Sequence, residues 1–113
     1  MASDECWLVC GGRVLASAER AHRRGARAKG LLGRDGIGGA LVLTPCRSVH
    51  TLGMRFAIDV AYLDPDGVVI KIAHMRRNRI GWPVWKAKSV VEAEAGAFER
   101  WGLQVGQQVE LRE

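Results

Sequence analysis

CRSVHTLGMRFAIDVAYLDPDGVVIKI, residues 46–72, is the stretch whose reading decides the fold. Phe56, Ile58, Val60 and Tyr62 fall on one side of an extended segment, and Ala57, Asp59, Ala61 and Leu63 on the other. Asp64-Pro65-Asp66-Gly67 then places a proline at the second turn position and a glycine that tolerates positive φ. Val68, Ile70 and Ile72 bring the chain back as the partner strand. A hairpin of this kind needs further strands to bury its apolar faces, and the flanks supply them.

Upstream, CWLVC (residues 6–10) reads as a strand, and Gly11-Gly12 as a two-residue turn returning through Arg13 to Ala16. Cys6 and Cys10 share a face of that strand at roughly 13 Å, beyond the ~7 Å a disulfide spans. From Ser17 to Leu32 the pattern becomes helical: Ser17 can cap, Glu19 suits the first turn, and Ala21, Ala28, Leu31 and Leu32 form a narrow apolar stripe. Gly33 to Gly39 is a loop by glycine content, and Ala40 to Leu43 a short strand ended by Pro45. Downstream, Met75 to Lys88 is a long excursion, Ser89 to Glu94 a strand, Gly96 to Trp101 a helical turn, and Gln107 to Leu111 the last strand. The expected fold is therefore mainly β (α+β). It is a single domain over 1–113, a sandwich or partly closed barrel with a helix around 18–32 and a helical turn near 97–101.

A chain of 113 residues with 48% hydrophobic and 26% charged residues matches one globular domain. No apolar run approaches the ~20 residues of a membrane span. The acidic start, MASDECWLVCGG, has the wrong polarity for a signal peptide, and three cysteines argue against a disulfide framework. A cytoplasmic monomer without cofactor or bound metal is the expectation. The net charge of +5 gathers in two clusters, one spanning Arg20 to Arg34 and one spanning Lys71 to Lys88. Acids collect towards the C-terminus at Glu92, Glu94, Glu99, Glu110 and Glu113.

Several of these segments resemble the bacterial and archaeal family called domain of unknown function 192. Arg27-x-x-Gly30-Leu31-Leu32-x-Arg34 is similar to its Arg-x-x-Gly-Leu-(Met/Leu)-x-Arg. Ile58-Asp59-Val60 with Asp66-Gly67 resembles its aspartate strand and turn. Val91-Glu92 to Gly96, and Leu103-x-x-Gly106, resemble its closing elements. Residues 49–54, VHTLGM, depart from the aromatic-Trp-Met-Lys-Asn-Thr run common there, and Gln107 stands where Asp is usual. The resemblance implies a compact β-rich sandwich or barrel and no established activity. Gly30, Glu92, Gly96 and Gly106 are structural positions on this reading.

Asp59 lies between apolar neighbours in a strand, where a carboxylate needs a partner. An ion pair with Arg34 or Arg27 is the favoured explanation, and a ligand-binding or acid–base role the alternative. Cys46, His50 and Asp59 offer thiolate, imidazole and carboxylate in one stretch, the basis of an alternative thiol-dependent or metal-assisted enzyme. Yet Cys46 and His50 on one strand would stand roughly 13 Å apart, too far for common ligation. Trp82 and Trp85 amid Arg76, Arg77, Arg79, Lys86 and Lys88 can meet bases, an anionic surface or a protein, or can cover an open end of the core. The favoured function is a non-catalytic binding module for an unknown protein or anionic partner. Its surface would join Arg34 and Asp59 to the 75–88 loop, with nucleic acid a less favoured ligand.

Overall fold

A computed structural model describes residues 5–21 and 33–113. Among them are strands β1 (Glu5–Cys10), β2 (Arg13–Ala21), β3 (Ala40–Leu43), β4 (Ile58–Leu63), β5 (Val69–Met75), β6 (Ser89–Glu94) and β7 (Val109–Arg112), with one helix, α1 (Ala97–Trp101). All seven strands form one sheet in the order β5-β4-β6-β3-β2-β1-β7. Every neighbouring pair is antiparallel except β2 and β3. The sheet curls until its two edges touch. Val68 bridges Gln108, Val69 N–H donates to Gln107 O at 2.8 Å, and Val109 N–H donates to Gly67 O at 2.9 Å. Of the two architectures expected, the partly closed barrel is the one formed.

The hairpin reading holds at β4 and β5. Asp64 Oδ1 accepts the Asp66 and Val68 amides at 2.9 Å each, and Gly67 takes the positive φ of 83° that the turn demands. A side chain at Gly67 would bring Cβ within 2.5 Å of Val109 O, so the glycine also permits the seam with β7.

β2 corrects the expected helix. It continues as strand through Ala21, with Ala18 opposite Ala40 and Ala21 opposite Leu43, so the helix does not begin at residues 17–21. Parallel pairing with β3 overrides the intrinsic helix preference of Ala, Glu and Arg here. The remainder of that segment, 22–32, lies outside the described residues.

β4 is buried along its whole length, because both faces of the sheet are covered. On the inner face, Ala18, Ala40, Ala93 and Asp59 form one row across β2, β3, β6 and β4. Small side chains leave room there for α1, whose Ala97 and Phe98 are buried against Leu8, Val91 and Leu103. On the outer face, Val60 and Tyr62 of β4 join Leu41, Leu43 and Val90 beneath Val49, Met54 and Ala87 of the long connections. At ~25 cal/mol per Å2 of apolar surface, each such aliphatic residue stabilises the fold by roughly 1.5–3 kcal/mol.

Candidate functional site

Residues 44–57 and 76–88 together make the outer cover, and backbone hydrogen bonds fasten one to the other. Cys46 N–H donates to Lys88 O at 2.9 Å, Val84 N–H to Arg47 O at 2.7 Å, and Gly81 N–H to Val49 O at 2.9 Å. Thr51, fully buried, is the pivot. Its hydroxyl donates to Arg76 O and accepts from Arg79 N–H at 2.9 Å, while its own N–H donates to Arg79 O at 2.7 Å. Asn78 Oδ1 accepts from Gly53 N–H at 2.9 Å, tying the two turns together.

The cover turns Val49, Met54 and Ala87 inward and leaves a different chemistry outside. Ile80, Trp82 and Trp85 are 74%, 84% and 76% exposed, so the tryptophans do not cover an open end of the core. Around them stand Arg47, Arg55, Arg76, Arg77, Arg79, Lys86 and Lys88, all exposed, and neither segment contains an Asp or Glu. Arg55 reaches back to Asp35 at 2.7 Å. Among the described residues, Arg76, Arg77, Arg79, Lys86 and Lys88 make no ion pair. Elsewhere among the described residues, Arg20 is matched with Glu113, Arg34 with Glu19, Arg100 with Glu94 and Arg112 with Glu110, and Arg13 donates to Trp101 O at 2.8 Å. Glu94 pairs with Arg100, and Glu92 makes no ion pair with the cations of the cover.

Between β5 and the cover runs a cleft of about 460 Å3, lined by Tyr62, Lys71, Met75, Arg79, Ile80 and Trp82. Lys71 Nζ lies 5.8 Å from the centre of the Tyr62 ring. Burial raises the Tyr62 phenol above its usual range, with Cys46 and Glu92 adding to the shift. Glu92 itself sits on the outer face between Leu41 and Val60. Burial alone carries its carboxyl up to about 7.

Asp59 points to the opposite, inner face. Its Oδ2 accepts from Gly96 N–H at 3.0 Å and Phe98 N–H at 3.2 Å, and its Oδ1 lies 3.1 Å from His74 Nδ1. The carboxylate therefore serves as the N-terminal cap of α1, which has no side-chain cap of its own at Gly96. The pairing expected with Arg34 does not form, because the Arg34 guanidinium lies on Glu19 at 3.0 and 3.3 Å. Asp59 consequently lies on the face opposite the outer cover, apart from Arg34. Arg27 and Gly30 lie outside the described residues.

The alternative set is divided in the same way. Cys46 Sγ donates to Ser48 O at 3.2 Å and packs on the outer cluster, and His50 Nδ1 accepts from Leu52 N–H at 3.3 Å. Asp59 lies across the sheet from both, so thiol, imidazole and carboxylate do not converge. Among the described residues, no three His, Cys, Asp or Glu side chains are grouped to hold a metal ion. Gly96 and Gly106 take positive φ, at 89° and 95°, and Gly106 N–H donates to Val69 O at the barrel seam.

A family profile described as "Uncharacterized ACR", DUF192, matches residues 9–111. The chain belongs to the DUF192 family. A UPF0127 protein of Pyrococcus furiosus is 36% identical over 63 residues, which are 56% of this chain and 54% of that protein's length. Two crystal structures share the fold, each at 20% identity. A protein of unknown function from Novosphingobium aromaticivorans superposes with a TM-score of 0.75 over 94% of this chain and 83% of its own. A protein provisionally called a transcription regulator, from Sinorhizobium meliloti, superposes with a TM-score of 0.76 over 98% and 97%. Among the described residues of this DUF192 chain, no helix is long and apolar enough to cross a membrane.

Two residues of the DUF192 outer cover escaped the sequence reading. Ile80 is a lone apolar residue among cations, and nothing local tells whether such a residue turns in or out. Thr51 sits in a segment without periodicity. Its role depends on carbonyls and amides 25 and 28 positions away.

Proposed function

We propose that this DUF192 chain is a non-catalytic binding module that engages an anionic partner through its outer cover. One observation carries the reading. The cover exposes cations that have no acidic partners among the described residues, while Arg20, Arg34, Arg100 and Arg112, described elsewhere on the molecule, each have one. Like charges held close repel, and a multiply charged anion would relieve that repulsion while gaining the attraction itself. The three exposed apolar residues beside the cations supply contact area that pure charge attraction lacks.

Retention on immobilised heparin, a generic polyanion, tests the reading through a comparison at equal net charge. One variant carries Arg76→Glu, Arg77→Glu and Lys86→Glu; the other carries Arg20→Glu, Arg100→Glu and Arg112→Glu. The first is expected to elute at much lower salt than the second. Equal loss in both would mean that total charge, rather than this face, drives binding, and the proposal would fail.

A further inference from the structure

Resting on that reading, we infer that the anionic partner is the headgroup layer of a lipid membrane, with Ile80, Trp82 and Trp85 dipping below it. Among the described residues, most of the large apolar side chains left in solvent lie on the cover: Leu52, Ile80, Trp82 and Trp85, against Trp7, Val14 and Val105 elsewhere. Their chemistry is mixed. Tryptophan favours the boundary between headgroups and acyl chains, where its ring is apolar and its N–H remains wet. Isoleucine and leucine gain from the acyl region but have no π-face on which a nucleobase could stack.

The local backbone explains why these side chains project together. Val84 turns inward onto the outer cluster, and its N–H donates to Arg47 O. Trp82 and Trp85, on either side of it, stay exposed. Ile80 bridges His50, two residues before the exposed Leu52 of the neighbouring turn. Ile80 and Trp82 project from the lip of the cleft beside β5, while Trp85 and Leu52 stand outside its lining. A cleft of about 460 Å3 with half of the apolar tips outside it is not a channel that tracks the backbone of a nucleic-acid strand.

Arg76, Arg77, Arg79, Lys86 and Lys88 surround those tips, with Lys71 on the adjoining strand. Cations at this height meet phosphate and carboxylate headgroups while the apolar tips enter by roughly 5–10 Å. Because Thr51 and the backbone bonds already hold both segments against the sheet, binding needs little further ordering of the chain.

The test uses the full chain and sedimentable vesicles, either phosphatidylcholine alone or phosphatidylcholine with phosphatidylserine. Binding is expected to the second and to fall with salt, with quenching of tryptophan emission by acyl-brominated lipid. Trp82→Ala/Trp85→Ala is expected to lose about tenfold or more in affinity and most of the quenching, at unchanged melting temperature. Arg76→Glu/Arg77→Glu is expected to lose about tenfold or more while keeping both fluorophores. Equal binding to neutral vesicles, or quenching untouched by loss of Trp82 and Trp85, would overturn the inference. No vesicle binding, with salt-dependent binding of oligothymidylate, would overturn the membrane assignment and leave the anionic-partner reading standing. Failure with vesicles, oligothymidylate and heparin alike would remove both.

Discussion

Replacing Glu92 by Gln should make the protein more tolerant of alkaline conditions. The Glu92 carboxyl is placed between Leu41 and Val60 and is 5% exposed, with no hydrogen bond or ion pair among the described residues. Burial raises it from 4.5 to about 7. The folded state therefore holds its proton more tightly than the unfolded state does. The contribution to stability is complete below pH 4.5, declines as pH rises towards 7, and levels off above that, once both states have lost the proton. At about 1.4 kcal/mol for each tenfold change in proton affinity, the total loss is about 3 kcal/mol. Between about pH 5 and about pH 8 the share is about 2–3 kcal/mol. The amide introduced by Glu92→Gln cannot ionise, so the difference in stability between wild type and variant isolates this contribution from every other titrating group. Urea denaturation at the two pH values should show the wild-type midpoint falling relative to the variant by about 1 M or more. Parallel pH profiles for the two proteins would refute the reasoning, because they would mean that Glu92 ionises alike in the folded and unfolded chain.

Asp59→Asn removes the charge that caps α1 and should cost about 1–3 kcal/mol in urea denaturation; a loss within experimental error would show that the amides of Gly96 and Phe98 need no carboxylate. Thr51→Val keeps the shape but strands Arg79 N–H, so hydrogen exchange at Arg79 and Gly81 should quicken while β4 and β6 stay protected. Uniform protection in that variant would remove Thr51 as the pivot of the cover. Gly67→Ala should destabilise by about 2 kcal/mol or more, since it combines φ of 83° with a 2.5 Å approach to Val109 O. A near-neutral thermal shift would show that the barrel seam can open without loss.

The parts legible in the sequence are those set by neighbours along the chain. Gly11-Gly12 and Asp64 to Gly67 announce their turns because positive φ restricts residue choice, and the β4 alternation places Asp59 opposite Ile58 and Val60. What Asp59 meets was not legible. Its partners on α1 arrive with Gly96 and Phe98, and the competing candidate, Arg34, is taken by Glu19. The same limit explains β2. Ala18 to Ala21 carry helical propensity locally, and pairing with β3, joined by β1 at Ala18 and Glu19, makes them strand. Glu92 looks like an ordinary strand-face acid until the outer cover closes over it. The candidate site was half visible. The cations and tryptophans of 76–88 could be counted, but their exposure depends on Thr51 and the backbone bonds to 46–51.

The cover has two faces with opposed physical demands. Its underside must be apolar enough to seal Tyr62, Val60 and Val90, and that need explains Val49, Met54 and Ala87. Nothing in the packing requires Arg76, Arg77, Lys86 and Lys88 to gather above it, nor Trp82 and Trp85 to stand in water. A surface serving solubility alone would intersperse charges of both signs, as the Arg100–Glu94 and Arg112–Glu110 pairs do elsewhere on this molecule. Gathered cations raise the energy of the free protein, and exposed indoles add unfavourable apolar hydration. Both terms fall when an anionic surface with an apolar interior is brought against the cover, so the features least favourable to the isolated fold are those that a bound partner would stabilise.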